Sequence, residues 1–128
     1  MNLLWVALGG ATGAMLRYLL STALAASRMP LATALANTTG SLLLGVFMAW
    51  WLPRSSSVGE PLRMYVAVGL CGGYTTFSTF SYDTLVLMSG GRWGAAGLNL
   101  IVNVLGALVA VFAGWWLGRN LFGGPGPV

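Results

Sequence analysis

The sequence contains no histidine and no lysine, and Cys71 is its only cysteine. One cysteine cannot form a disulfide within the chain, so the fold does not depend on an oxidising compartment. A metal site built from several cysteine and histidine side chains is excluded too, because the chain has one cysteine and no histidine. Acidic residues are nearly absent too, since Glu60 and Asp83 are the only carboxylates. With so few acids, bases and nucleophiles, enzyme chemistry is poorly supported.

Charge of either sign is scarce. Charged residues make up 6% of the 128 residues, whereas 57% are hydrophobic. A soluble globular domain carries roughly a quarter charged residues, so the composition indicates an integral membrane protein. So small a membrane domain makes few internal contacts, which favours a homo-oligomer. The net charge of +4 comes from arginine alone, and in a membrane protein it relates to topology and lipid head groups rather than to nucleic acid.

The hydrophobic runs predict one all-α transmembrane domain. At about 20 apolar residues per crossing, the length fits about four helices with short connections. The apolar N-terminal stretch is too long for a signal-peptide core and has no convincing cleavage site, so we expect no removed leader. Within residues 1–128 we expect helices at 3–25, 31–52, 63–89 and 93–118, and a flexible tail at 119–128.

The third predicted helix contains the most unusual stretch of the chain, GLCGGYTTFSTFSYD at residues 69–83. Its adjacent glycines, Gly72 and Gly73, weaken a helix, and the serines and threonines that follow offer the backbone competing hydrogen bonds. Non-helical backbone at membrane depth is tolerated only where protein or a water-filled cavity surrounds it. The stretch therefore predicts a broken helix that lines a pathway or an ion site.

Such a break offers two kinds of ligand. Carbonyls freed near Gly72 and Thr75 are of the kind that holds a monovalent cation such as Na⁺. Phe77 and Phe80 are three residues apart and share a face if the backbone there is helical. A ring edge carries the positive lobe of the aromatic quadrupole, so two edges can replace part of the water around a small anion. The alternative is that both rings are ordinary core residues.

Polar side chains of the other helices are candidates for the same pathway. Arg17, inside the first helix, either snorkels to the interface or supplies charge to an anion vestibule or a subunit interface. Thr33 and Asn37 share one face of the second helix, and Asn99 and Asn103 share one face of the fourth. Each amide is either a hydrogen bond between helices or an NH₂ donor that faces a pore.

Hydrogen-bond donors outnumber carboxylates among these candidates. Ser78 and Thr79 add two hydroxyls, and such donors suit an anion, whereas a permeating cation prefers carboxylates or carbonyls. A small dual-topology cation or drug exporter needs a carboxylate at membrane depth. Asp83 is the one nearby candidate, and it is either solvent-exposed or paired with an arginine. A non-transporting accessory subunit, the third possibility, needs no broken helix.

The arginines are divided almost evenly between the two sides of the membrane. If both termini lie on one side, three arginines (Arg54, Arg63 and Arg119) share that side and two (Arg28 and Arg92) lie on the other. A clear excess normally sets orientation, so this balance permits insertion in both directions. In an antiparallel homodimer, every one-sided feature would appear twice about a two-fold axis.

Three stretches of the sequence resemble the CrcB/Fluc family of fluoride channels. They are GLCGGYTTFSTFSYD at 69–83, GGATGAMLRY at 9–18 and ANTTGSLLLG at 36–45. The first is highly specific, the other two are supportive, and the resemblance extends over nearly the whole chain. It implies a passive, selective channel of the cell (inner) membrane, through which accumulated fluoride leaves the cell. It also implies a dual-topology, antiparallel homodimer with two separate fluoride pores.

The resemblance assigns pore roles to individual residues. The two phenylalanines that line the pores in the family correspond to Phe77 and Phe80. The asparagine and the threonine of the family's second helix correspond to Asn37 and Thr33. The arginine of its first helix corresponds to Arg17.

The resemblance also implies a structural Na⁺ ion at the centre of the dimer. Backbone carbonyls of Gly72 and Thr75, from both subunits, would hold it. This sequence departs from the family in the fourth helix, where Ala107 stands at the position of a pore serine. We expect Asn103, one turn earlier, to supply the polar contact that the missing hydroxyl would make.

Overall fold

All regular elements among residues 2–123, the part of the chain that the computed structural model describes, are helical. In chain order they are α1 (Asn2–Ala23), α2 (Leu31–Trp51), a 3₁₀ turn (Leu52–Arg54), α3 (Ser55–Val58), α4 (Glu60–Arg63), a first π-helix (Met64–Cys71), α5 (Gly72–Tyr74), α6 (Phe77–Ser89), α7 (Trp93–Ile101), a second π-helix (Val102–Gly106) and α8 (Ala107–Phe122). The π-helices continue their neighbours, so residues 60–74 and 93–122 each form one long helix, named here helix 60–74 and helix 93–122.

Three stretches of the described chain are long and apolar enough to cross a membrane. They are Asn2–Ala23, Leu31–Val58 and Trp93–Phe122. Their length and hydropathy agree with the prediction of an all-helical membrane protein. Helix 60–74 and α6 together occupy the place of the third predicted helix in the chain.

Several helix ends differ from those predicted. α1 ends at Ala23 instead of residue 25, and α2 ends at Trp51 instead of residue 52. Helix 60–74 begins at Glu60, three residues before the predicted start, because Pro61 is well suited to a first helical turn.

The flexible tail predicted at 119–128 starts too early in the sequence, because α8 continues to Phe122. Residues 119–122 belong to α8, which ends at Gly123 in the left-handed conformation, with φ of 68°. Glycine adopts this conformation without steric cost and is a common residue at helix C-termini. The rest of the expected tail lies outside the described residues.

Glycines let helix 60–74 lie directly against α1. A Cβ atom built on Gly69 would lie 2.8 Å from the Cα atom of Gly9, and one on Gly73 would lie 3.0 Å from the Cα atom of Gly10. Such distances leave no room for a side chain at the contact. Small residues at these positions permit the close backbone approach on which helix packing in membranes depends.

A second glycine contact joins α2 to α8. A Cβ atom built on Gly118 would lie 2.8 Å from the Cβ atom of Ala49, and one on Gly114 would lie 3.0 Å from the carbonyl carbon of Leu42. The described chain therefore contains two close helix pairs, α1 with helix 60–74 and α2 with α8.

Arginines tie the loops together at both ends of the helices. At one end, Arg92 Nη1 donates to the carbonyl of Arg28 over 2.8 Å. At the other, Arg54 Nη2 donates to the carbonyl of Phe122 over 3.3 Å. Near that second end, Arg63 pairs with Glu60 and holds the pKa of its carboxyl below the usual range. Arg28 and Arg92 thus lie at the same end, as the sequence predicted.

Candidate functional site

Between helix 60–74 and α6, two threonines have extended backbone. Thr75 has φ of −81° and ψ of 156°, and Thr76 has φ of −155° and ψ of 118°. The Thr75 amide still donates to the Cys71 carbonyl, but the Thr76 amide turns away from the Gly72 carbonyl, so the helical ladder of hydrogen bonds stops at Thr76. The polar groups of this backbone therefore need other partners if they lie away from water.

Asn37, on α2, satisfies both backbone groups of Thr76. The Thr76 amide donates to Asn37 Oδ1 over 2.7 Å, and Asn37 Nδ2 donates to the Thr76 carbonyl over 3.1 Å. The carboxamide thus pairs with the extended backbone much as a neighbouring strand would. Asn37 itself is 9% exposed, so water does not compete strongly for these bonds.

The side chain of Thr76 starts α6. Its Oγ1 atom accepts a hydrogen bond from the Thr79 amide over 3.2 Å, which is the geometry of an N-cap. The same oxygen lies 3.1 Å from Thr79 Oγ1 and 3.2 Å from Ser78 Oγ. Ser78 and Thr79, both candidates from the sequence, therefore belong to a hydroxyl cluster at the start of α6.

Carbonyls at the break, among them those of Gly72 and Thr75, lose their usual helical donors. In a continuous helix, the Gly72 carbonyl would accept from the Thr76 amide, and the Thr75 carbonyl from the Thr79 amide. The first amide donates to Asn37 and the second to the Thr76 side chain. By contrast, the Cys71 carbonyl keeps the Thr75 amide, and the Gly73 carbonyl accepts from Arg17 Nε over 3.2 Å.

Phe77 and Phe80 meet edge to face at the start of α6. Their ring centroids are 5.3 Å apart and the ring planes form an angle of 71°. Phe80 is 4% exposed, whereas Phe77 is 76% exposed. Phe80 is therefore a core residue of the single chain, and Phe77 presents its ring on the surface.

An open groove of about 550 Å³ runs along this region. It brings together six of the predicted site residues, Asn37, Asn103, Gly72, Thr75, Phe77 and Phe80, and adds Thr76, Cys71 and Ala107. No described residue that lines it is charged. The groove therefore offers amides, hydroxyls, carbonyls and aromatic rings, without the carboxylate that a cation-exporting site needs.

Four predicted residues do not line this groove. Ser78 and Thr79 lie in the adjoining hydroxyl cluster. Thr33 Oγ1 donates to Asp83 Oδ2 over 2.7 Å, so a threonine binds this carboxylate, and not the arginine that was one of the two alternatives from the sequence. Arg17 is bound to the Gly73 carbonyl, and it therefore contacts protein at this position.

A row of buried amides continues from Asn37 into helix 93–122. Asn37 Nδ2 donates to Asn103 Oδ1 over 2.7 Å, and Asn103 Nδ2 donates to Asn99 Oδ1 over 2.9 Å. Asn99 Nδ2 donates to Thr84 Oγ1 over 2.9 Å. The shared face of Asn99 and Asn103 was predicted from their spacing, whereas their connection to Asn37 was not.

Sequence reasoning missed the roles of Thr76 and Thr84. A signal existed for Thr76, because a threonine directly before a helical stretch is a common N-cap. No comparable signal existed for Thr84, whose hydroxyl bonds the Phe80 carbonyl one turn earlier and accepts from an asparagine on another helix.

Comparison with known proteins agrees with the resemblance found in the sequence. Residues 4–115 match the family described as CrcB-like protein, Camphor Resistance (CrcB). The chain is 45% identical over 116 residues to a protein of Shewanella sp. (strain ANA-3) named fluoride-specific ion channel FluC, covering 88% of this chain and 92% of that one. A protein of the same name from Syntrophotalea carbinolica is 40% identical over 124 residues, covering 94% of this chain and 100% of that one.

Proposed function

We propose that this chain, which belongs to the CrcB family, is a fluoride-specific ion channel and not an enzyme. It would let cytoplasmic fluoride leave passively through a multi-pass protein of the cell (inner) membrane. The observation that carries this proposal is the uncharged groove in which Phe77 and Phe80 meet beside the Asn37–Thr76 contact. The relatives' shared name, fluoride-specific ion channel, supports the choice of ion.

The chemistry of the groove suits a small, strongly hydrated anion. Fluoride gives up water only if hydrogen-bond donors and positive ring edges replace it in a low-dielectric site. Both amide hydrogens of Asn37 are directed to Thr76 and Asn103, so the ring edges in the groove, together with the hydroxyls of Ser78 and Thr79 in the adjoining cluster, would contact the ion. Arg17 and Thr33 belong to the proposed path at greater distance from the rings.

The proposal includes an antiparallel homodimer with two pores and dual topology. Polar groups of the groove open onto the side of a single chain, and Phe77 is exposed there. Polar, non-helical backbone at membrane depth needs protein or a water-filled cavity around it, and a second protein surface against this side would enclose both. A second copy in the opposite orientation is the partner that the near-even distribution of arginines allows.

A structural Na⁺ ion at the dimer centre is the second part of the proposal. Gly72 and Thr75 are among the residues whose carbonyls lose their helical donors, and both line the groove. Carbonyl oxygens of a broken helix are suitable ligands for Na⁺, so the donor set fits. Together with the same carbonyls of a second copy they would hold the ion, whose charge would stabilise two broken helices against each other.

The exporter alternative is disfavoured by the placement of Asp83. Its carboxylate is bonded to Thr33 and does not line the groove, so the groove lacks the charge that a cationic substrate requires. The accessory-subunit alternative gives no reason for two extended threonines with buried polar partners.

Ion efflux from liposomes that hold the purified protein tests the proposed function. We expect rapid fluoride release and no chloride release, measured in parallel with ion-selective electrodes. Protein-free liposomes and liposomes with heat-unfolded protein serve as controls. Release of neither ion from a folded dimer would remove the channel proposal.

A further inference from the structure

Behind the groove, Asn99 occupies a position that neither the family's name nor the proposed pore explains. It is 3% exposed and does not line the groove, yet its side chain makes bonds to two other helical elements. We infer that Asn99 is a positioning residue for fluoride conduction, because it fixes the orientation of Asn103 and, through it, that of Asn37. This inference rests on the proposed function.

The direction of the amide row is set by the backbone. The Thr76 amide can only donate, so Asn37 must turn Oδ1 toward it. Asn37 Nδ2 then faces Asn103 Oδ1, which turns Asn103 Nδ2 away from the groove. An acceptor is therefore required on the far side of Asn103, at the place that Asn99 occupies.

Asn99 supplies two acceptors at that place. Asn103 Nδ2 donates to Asn99 Oδ1 over 2.9 Å and to the Asn99 carbonyl over 3.0 Å. Asn99 Nδ2 donates to Thr84 Oγ1, which in turn donates to the Phe80 carbonyl over 2.8 Å. The row therefore starts at the extended backbone of Thr76 and ends at the backbone of Phe80.

This arrangement changes the role expected of Asn103. Both of its amide hydrogens are directed to Asn99, so it has no hydrogen left to offer an anion in the groove. Its oxygen accepts from Asn37, which keeps that amide from turning over. Asn103 therefore does not replace the missing hydroxyl at Ala107 as a donor. It transmits the constraint from Asn99 to Asn37.

Asn99→Ala removes the side-chain acceptor and leaves the backbone carbonyl, so one amide hydrogen of Asn103 loses its partner and Asn103 turns over more readily, which loosens Asn37. Because a buried polar group without its partner is costly, we expect fluoride flux per dimer to fall about tenfold in Asn99→Ala. The Asn37 carboxamide protons would also exchange with D₂O faster, although residue 99 does not touch Asn37. The chain has five asparagines, so ¹⁵N-asparagine labelling gives a spectrum simple enough to follow them.

Asn120→Ala is the matched control. Asn120 is an exposed asparagine of the same helix 93–122, and its Nδ2 donates to the carbonyl of Trp116 over 2.9 Å. We expect wild-type flux and wild-type exchange at Asn37 in this variant. Asn99→Leu fills the volume that alanine leaves empty, so it provides the same test if Asn99→Ala does not fold.

The outcomes separate the inference from the proposed function. Wild-type flux and unchanged Asn37 exchange in Asn99→Ala would overturn the inference. Faster exchange of backbone amides throughout the protein would overturn it too, because Asn99 would then serve only overall stability. Absence of fluoride release from the wild type would remove the proposed function, while the exchange comparison would still decide whether Asn99 holds Asn37.

Discussion

Asn37 joins three features of the candidate site through a single carboxamide. Its oxygen accepts from the Thr76 amide, and its nitrogen donates to the Thr76 carbonyl and to Asn103. All three contacts lie within hydrogen-bonding distance and away from bulk water. One side chain therefore satisfies the backbone of the extended segment and connects it to helix 93–122.

Substitution of Asn37 tests this combined role. We expect Asn37→Ala and Asn37→Asp each to slow fluoride efflux from liposomes about tenfold or more, because both remove the NH₂ group. Asn37→Asp keeps the size of the side chain and an acceptor for the Thr76 amide, so it removes the NH₂ group without the loss of volume in Asn37→Ala. Equal, wild-type efflux in both variants would mean that the amide only holds helices together.

The aromatic character of Phe80 can be tested with a substitution that keeps an apolar side chain at this position. Phe80→Ile keeps an apolar side chain of similar burial but removes the positive ring edge. We expect fluoride efflux to fall nearly to the background of protein-free liposomes, while size-exclusion chromatography shows the same oligomeric state as for the wild type. Phe112, 69% exposed and outside the groove, provides the control Phe112→Ile. Unchanged efflux in Phe80→Ile would remove the ring from the mechanism.

At the scale of elements, glycine contacts decide how closely α1 and helix 60–74 approach each other. The backbone atoms of Gly9 and Gly10 occupy the space that a side chain on residue 69 would need. Since backbone cannot move aside as a flexible side chain can, the two helices would have to separate. Separation would also shift Gly73, whose carbonyl Arg17 binds.

We therefore expect Gly69→Ala to lower stability by about 1–3 kcal/mol. Gly10→Ala is the matched control, because a Cβ atom on residue 10 meets nothing within 4 Å. This control should be neutral or slightly stabilising, since alanine is the better helix former. Thermal unfolding in detergent, followed by circular dichroism, compares the two variants. Equal midpoints for them would show that the helix contact adjusts to a methyl group without cost.

Sequence reasoning predicted local geometry better than contacts between helices. The pairing of Phe77 with Phe80 and of Asn99 with Asn103 follows from helical spacing, which depends on neighbours in the chain alone. The partners of Asn37 and Asp83 lie 39 and 50 positions away. Those contacts depend on how the helices pack, and no local pattern contains that information.

At the scale of the whole molecule, the near-even distribution of arginines does not favour one orientation of the chain in the membrane. Arg28 and Arg92 lie at one end of the helices, and Arg54 lies at the other beside the end of α8. Adding positive charge to one end should favour a single orientation. An antiparallel dimer needs one subunit in each orientation, so it would then lack the subunit of opposite orientation.

Paired charge variants test this dependence. We expect Ser55→Arg with Ser56→Arg, on the Arg54 side, to reduce fluoride resistance of cells that depend on the protein. Ala26→Arg with Ser89→Arg, on the opposite side, should also reduce it. Co-expression of the two double variants should restore resistance, because each supplies the orientation that the other lacks. Full resistance from either variant alone would contradict the antiparallel arrangement.

The two hydrogen bonds between Asn37 and Thr76 also constrain the order of assembly. They join residues 39 positions apart, so they cannot form while the third segment enters the bilayer without its neighbours. Extended backbone without partners is costly in hydrocarbon, and a newly inserted segment is most stable as a continuous helix. The unwinding at Thr75 and Thr76 is then a late event, which takes place when α2 arrives and offers its carboxamide. The pathway through this protein would be absent from its separate helices and created by their docking.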